Sequence, residues 1–128
     1  MKGLEAWGQY TYTLTRNFDT PATPLGGDKR SARWPIDQFS LGLAYQPIDP
    51  VRMTIDYRFV GARNNDLANT PAQKMGSFGV VNASASYSVT EYVQIYGRID
   101  NILNQKYEEI LYFGTPIRSV YGGIRIGL

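Results

Sequence analysis

The chain has 128 residues, enough for one domain with a sound core but not for two. Its 13 Lys and Arg against 11 Asp and Glu leave a net charge of +2 that is dispersed rather than clustered, which gives no basis for nucleic-acid binding. Cysteine and histidine are both absent, which excludes disulfide frameworks, thiolate sites, the usual zinc and transition-metal ligand sets and Ser-His-Asp hydrolysis; no cofactor or metal is expected.

Ten tyrosines, two tryptophans and 13 glycines accompany little helix-forming sequence, a mix that favours strands. "LEAWGQYTYTLTR", residues 4–16, alternates throughout and predicts one long strand, with Leu4, Ala6, Gly8, Tyr10, Tyr12 and Leu14 on one face. "IDQFSLGLAYQ", residues 36–46, places Phe39, Leu41, Leu43 and Tyr45 together and stops at "PIDP", where prolines cannot donate to a ladder. "VRMTIDYRFVGA", residues 51–62, has the sharpest segregation: Val51, Met53, Ile55, Tyr57 and Phe59 oppose Arg52, Thr54, Asp56 and Arg58. "VVNASASYSV", residues 80–89, and "YVQIYGRID", residues 92–100, form a pair around a short turn near Thr90. "SVYGGIRIGL", residues 119–128, sets Val120, Ile124, Ile126 and Leu128 against Tyr121 and Arg125.

These segments make about six strands of roughly ten residues each, long for a soluble sheet and matched to a tilted crossing of a bilayer. No helix is predicted, and no run approaches the roughly 18 apolar residues of a membrane helix. Met1-Lys2-Gly3 is not followed by the apolar core of a signal peptide, so any export signal is expected upstream. Connections alternate between short and long, as in outer-membrane barrels whose short turns face the periplasm.

Alternation cannot by itself say which face is wet, since a soluble lipocalin-like barrel or sandwich that binds an apolar ligand also alternates. Tyr10, Tyr12, Tyr45, Phe59 and Tyr87, on the apolar face toward strand ends, fit an interfacial girdle. Glu5, Arg52, Asp56, Arg58, Arg98, Asp100 and Arg125 all share the parity of the polar face, as a lumen or a solvated sheet face would require. Six strands are too few to close a barrel, so the expected fold class is all-β, an antiparallel up-and-down transmembrane β-barrel segment belonging to a larger barrel. Two weak motifs are set aside: "NAS" at Asn82 fits a glycosylation sequon but lies within a predicted strand, and "GGDKRS" at Gly26 lacks phosphate-loop spacing.

The succession "YTYTLT", "RWP", "LGLAYQP", "MTIDYRFVGAR", "FGVVNASASYSVTEYVQIYGRIDNILNQKYEE" and "GIRIGL" resembles the C-terminal barrel strands of TonB-dependent outer-membrane receptors, the vitamin B12 and siderophore importers. The most specific piece is "GRIDNILNQKYEE", in which Asp100, Asn101, Ile102, Leu103, Lys106, Tyr107 and Glu108 match the family's penultimate-strand pattern. The chain departs from that pattern in ending on Leu128 rather than an aromatic residue, and in bringing "GLE" close to "YTYT".

The resemblance implies that residues 1–128 are the C-terminal part of a barrel of about 22 strands, with the plug domain outside them. It further implies residence in the outer membrane of a Gram-negative bacterium, contact with membrane lipid, and energy coupling to TonB through an N-terminal region not included here. The implied activity is import of a small-molecule chelate, a siderophore–iron complex or a cobalamin-like ligand, without covalent chemistry. On this reading Arg52, Asp56, Arg58, Arg98, Asp100 and Arg125 face the lumen. Arg33, Trp34, Arg63, Asn64 and Asn65, from two loops rich in Arg, Lys, Asn and Asp, are candidates to contact a polar or anionic chelate. For Asn101 and Asn104 the expected role is at a strand end and turn rather than at a ligand.

Overall fold

Backbone pairing carries the fold, and it follows the alternation of the sequence. A computed structural model describes residues 3–21, 24, 27 and 29–127. In chain order the strands are β1 (Gly3–Tyr12), β2 (Asp37–Ile48), β3 (Val51–Val60), β4 (Arg63–Asn64), β5 (Lys74–Met75), β6 (Phe78–Ser88), β7 (Val93–Asp100), β8 (Glu108–Ile110), β9 (Phe113–Gly114) and β10 (Ser119–Ile126). The six long ones form a single antiparallel meander in the order β1-β2-β3-β6-β7-β10. β4 pairs with β5 and β8 with β9 inside the long connections.

Register places the apolar positions of all six strands on one face. Leu4 sits opposite Tyr45, Tyr45 opposite Met53, and Met53 opposite Ala85; Ala83 sits opposite Ile99 and Ile99 opposite Val120. A slip of one residue in any pair would turn that strand's apolar set to the other face, so the pattern fixes the pairing. Aromatic residues occupy both rims of this face. Tyr10, Phe39 and Phe59 lie in one row at the end from which the long connections leave, while Tyr45 and Tyr87 lie toward the short turns, opposite Met53 and Val51. Leu43 and Ile55 lie between the rims.

The apolar face is uncovered: Val120 is 71% exposed, Ile124 65% and Ile126 72%. The buried apolar side chains, among the described residues, are Ala44, Val60, Met75, Phe78 and Val80, and the only cluster among them is Val60, Phe78 and Val80. That cluster lies on the opposite face, near the long loops. A soluble lipocalin-like protein would close its sheet around the apolar side chains; this sheet is open and leaves them outside.

Boundaries differ from the sequence pattern where a partner begins or ends. The strand expected over residues 4–16 stops at Tyr12, because its neighbour starts only at Asp37, after Pro35. Thr13 makes the last rung by donating to the Ile36 carbonyl at 2.8 Å. β2 runs past its expected end at Gln46 because a bulge between Tyr45 and Ile48 accommodates Pro47, and Asp49-Pro50 then forms a tight hairpin turn. The other short turn is closed by Thr90, whose hydroxyl oxygen accepts from the backbone of Tyr92 at 3.2 Å and of Val93 at 3.1 Å. The paired segments β4/β5 and β8/β9 and a single 3-10 turn (Pro71–Gln73) were not foreseen, since pieces of two or three residues carry no periodicity. Gly26 and Leu128, named in the sequence reading, lie outside the described residues.

Glycines on the sheet face large rings. Trp7 lies directly across from Gly42 and covers it so closely that a Cβ there would overlap the indole; Tyr96 covers Gly123 in the same way. Gly42→Ala is therefore expected to displace Trp7 and lower unfolding stability by about 1–3 kcal/mol. Thermal unfolding in detergent micelles, followed by tryptophan fluorescence, measures the loss. Adding Trp7→Ala should recover much of it, and a stability unchanged by Gly42→Ala would contradict the packing described.

Candidate functional site

The charged strand residues share the face opposite the apolar one. Arg52 lies opposite Ser86 and Arg98 opposite both Ser84 and Tyr121; the small neighbours leave the long side chains room to spread. Arg52, Ser84, Ser86, Tyr96, Arg98 and Arg125 border a recess of 630 Å³ on this face, which Asp100 also lines. Within it, Arg98 makes a bidentate pair with Asp100 at 2.6 and 2.7 Å and lies 5.9 Å from the Tyr121 ring. Arg125 donates to Gln94 at 3.4 Å, and Arg52 stands 3.8 Å from Glu5. These pairs are largely exposed, so each contributes about 1 kcal/mol or less. Asp56 sits apart and accepts from Asn82 Nδ2 at 2.8 Å, which places the sequon asparagine inside a paired strand.

Asn82 leads to the turn that follows β7. Its Oδ1 accepts from the Asn101 amide at 3.0 Å, and the Ile102 amide donates to the Val81 carbonyl at 2.9 Å. Asn101 is 3% exposed and adopts φ 53°, a left-handed conformation that asparagine tolerates better than most residues. Its side chain mimics a strand partner, donating to the Gln105 carbonyl and accepting from the Gln105 amide, both at 2.8 Å. Asn104, also left-handed at φ 54°, accepts from the Arg118 amide at 3.1 Å, and Arg118 Nε donates to the Ile102 carbonyl at 2.9 Å. The "NILNQ" stretch is thus a self-satisfied turn that ties the start of the last long loop to its end, as expected for Asn101 and Asn104.

Two long loops, residues 61–77 and 101–118, lock together above the polar face. Phe78 stacks on Tyr107 with ring centroids 4.3 Å apart, against Val60 and Val80. Arg58 pairs with Glu109 at 2.7 Å and lies 5.6 Å from the Phe78 ring. Arg63 approaches that ring at 5.4 Å and donates from Nη2 to the carbonyls of Glu108 and Glu109 at 2.7 and 3.0 Å. Burial pulls the Arg63 pKa below its ordinary value; the nearby Glu109 works against that shift and Arg58 adds to it. Glu108 itself accepts from the Tyr112 amide at 3.0 Å. The sequence reading missed this junction. Its signal was present as Val60, Phe78 and Val80, apolar residues at polar-face positions beside Arg58, which need a cover.

The remaining loop candidates meet at a second seam. The Arg33 amide donates to the Asn64 carbonyl at 2.6 Å and its Nε approaches Asn65 Oδ1 at 3.4 Å. Arg30 and Asn69 make a reciprocal pair: Arg30 N to Asn69 Oδ1 at 2.8 Å, and Asn69 Nδ2 to the Arg30 carbonyl at 2.9 Å. Trp34 stands beside this seam, 58% exposed. The structure therefore gathers Arg33, Trp34, Arg63, Asn64 and Asn65 at one end of the sheet, while Arg52, Arg98, Asp100 and Arg125 form a separate group on the sheet's polar face.

Comparison with known proteins identifies a family model described as "TonB dependent receptor-like, beta-barrel", matching residues 1–102. The vitamin B12 transporter BtuB of Vibrio vulnificus is 24% identical over 132 residues, covering 97% of this chain and 21% of that protein. Among solved structures, the siderophore receptor PiuA of Acinetobacter baumannii superposes with a TM-score of 0.81 at 16% identity, over 98% of this chain and 20% of that one. The ferric-catecholate import receptor Fiu of E. coli K12 gives 0.79 at 20% identity, over 98% and 19%. The chain spans about a fifth of the length of the Vibrio vulnificus relative.

Two substitutions separate the junctions. Asn101→Ala removes the paired bonds to Gln105 and leaves alanine left-handed, an expected loss of about 2–3 kcal/mol in the turn; Asn101→Gly keeps the conformation and should lose less. Amide exchange at Gln105 reads both, and unaltered protection in Asn101→Ala would refute the turn's described role. Tyr107→Ala should free residues 101–118 for proteolysis, with about 2 kcal/mol of local stability lost, whereas Tyr107→Phe preserves the stack and should remain resistant.

Proposed function

The chain belongs to the TonB-dependent receptor-like β-barrel family, and from that premise we propose that its six long strands are consecutive staves, at the C-terminal end, of an outer-membrane barrel that imports a chelate. The observation that carries this reading is the common register. It turns an aromatic-rimmed apolar face to one side and Arg52, Asp56, Arg58, Arg98, Asp100 and Arg125 to the other. On this reading the apolar face meets lipid and the charged face lines the lumen. Both edges of the sheet, at β1 and β10, continue into further strands.

The long loops then stand on the outer surface, where Arg33, Trp34, Arg63, Asn64 and Asn65 meet the ligand. The cargo is a siderophore–iron complex or a cobalamin-like molecule, bound without covalent change and released to the periplasm when TonB acts on a region outside residues 1–128. The residues of this chain contribute wall, rim and loop contacts; the energy comes from elsewhere.

A strain lacking the gene for the receptor that contains this chain is expected to lose uptake of either radiolabelled cobalamin or a radio-iron chelate. Reintroducing the gene should restore it only while TonB is present. Undiminished uptake of every cobalamin and ferric chelate offered would refute the proposal.

A further inference from the structure

Glu5 and Asp100 on the polar face each face an arginine, at 3.8 and 2.6 Å; among the described residues Asp56 has no such partner. Its neighbours across the ladder are Gly42 and Asn82. Glycine offers no side chain, so the contact runs to Asn82, whose Nδ2 donates to Asp56 Oδ2 at 2.8 Å. That contact fixes more than two residues. A carboxylate only accepts and a backbone N–H only donates. The Asn82 amide lies between one of each, with Nδ2 toward Asp56 and Oδ1 toward the Asn101 N–H at 3.0 Å. A single orientation of the amide satisfies both neighbours; turned over, it would set oxygen against oxygen and N–H against N–H.

The far end of this relay is where the backbone ladder gives out. The β6–β7 pairing ends with Ala83 opposite Ile99. Just beyond it, Asn101 is 3% exposed and left-handed at φ 53°. Its amide has left the ladder, and a buried amide without an acceptor is costly, so the acceptor that Asn82 supplies matters. The start of the loop hangs from this point. Asn101 holds Gln105 through its side chain and Asn104 through its carbonyl at 2.8 Å, and Asn104 receives the Arg118 amide from the loop's other end.

We propose that Asp56 is a positioning residue for the 101–118 loop. By holding the Asn82 amide in one orientation it sets the left-handed footing at Asn101, so that a carboxylate on the polar face of β3 governs a loop two hydrogen bonds away. Whatever draws the carboxylate off Asn82 frees the amide to turn and loosens the loop at its base. The relay depends on the sheet and the turn alone, not on the transport reading.

The test follows amide exchange across residues 99–106 in the complete receptor, purified in detergent and free of cargo, so that the result does not depend on whether import occurs. Asp56→Ala should speed exchange at Asn101 by about tenfold or more while the β7–β10 ladder stays protected. Asp56→Asn, which can still accept from Asn82 but no longer forbids the turned amide, should give a smaller loss. Asn82→Asp sets two carboxylates against each other and should also lose protection. Swapping the pair, Asp56→Asn together with Asn82→Asp, again places a donor against an acceptor and should return protection to near the unmodified level. Independent local roles for the two side chains would not produce that recovery. Unaltered exchange at Asn101 in Asp56→Ala, no recovery in the swapped pair, or a loss that spreads through the β7–β10 ladder would overturn the inference.

Discussion

Everything here depends on keeping backbone hydrogen bonds satisfied along a sheet with no core behind it. In an ordinary soluble domain, burial of apolar side chains drives folding. In these strands most large apolar residues are exposed, Val120, Ile124 and Ile126 by 71, 65 and 72%. In a hydrocarbon environment an unpaired amide costs several kcal/mol, and the ladder meets that demand: β1 with β2, β2 with β3, β3 with β6 and β7 with β10 pair along nearly their whole lengths, while β6 pairs with β7 over its residues 83–88. The alternation of side chains then has only to choose which face meets which solvent. Pro47 shows the same constraint at its limit: a residue with no N–H is accepted only at a bulge beside the turn.

Where the ladder ends, side chains take over the role of the backbone. Asn101 pairs with Gln105 as a neighbouring strand would, Asn82 receives the Asn101 amide, and Asn69 does the same for Arg30 across two loops. The only apolar cluster among the described residues sits on the otherwise polar face, directly beneath the loops. Among the described residues the loop end is therefore the best packed, and it fixes Arg33, Trp34, Arg63, Asn64 and Asn65 above strands that carry no core of their own.

Much of the fold was legible because period-two alternation is a strong signal over eight or more residues. All six long strands, their faces and the two short turns could be read from it, and "GRIDNILNQKYEE" pointed to the family. Strand ends were less legible: the alternation of "YTYTLTR" continues past Tyr12, but pairing needs a neighbour, and the sequence does not say that β2 begins at Asp37. The two loop seams were illegible for a related reason. They join residues far apart in the chain, Arg30 with Asn69 across 39 positions and Arg58 with Glu109 across 51, and no local pattern records such partners. Only the out-of-pattern Val60, Phe78 and Val80 hinted that something lay over the polar face.

The central claim is that one face of this sheet meets lipid and the other meets water. Nitroxide labels introduced one at a time along β3, in a chain that has no native cysteine to interfere, measure it directly in the membrane-inserted receptor. Collision with oxygen, which concentrates in hydrocarbon, should peak at positions 53, 55 and 57, and collision with a water-soluble nickel chelate at 52, 54 and 56. Flat accessibility along the strand, or the opposite phase, would contradict the account.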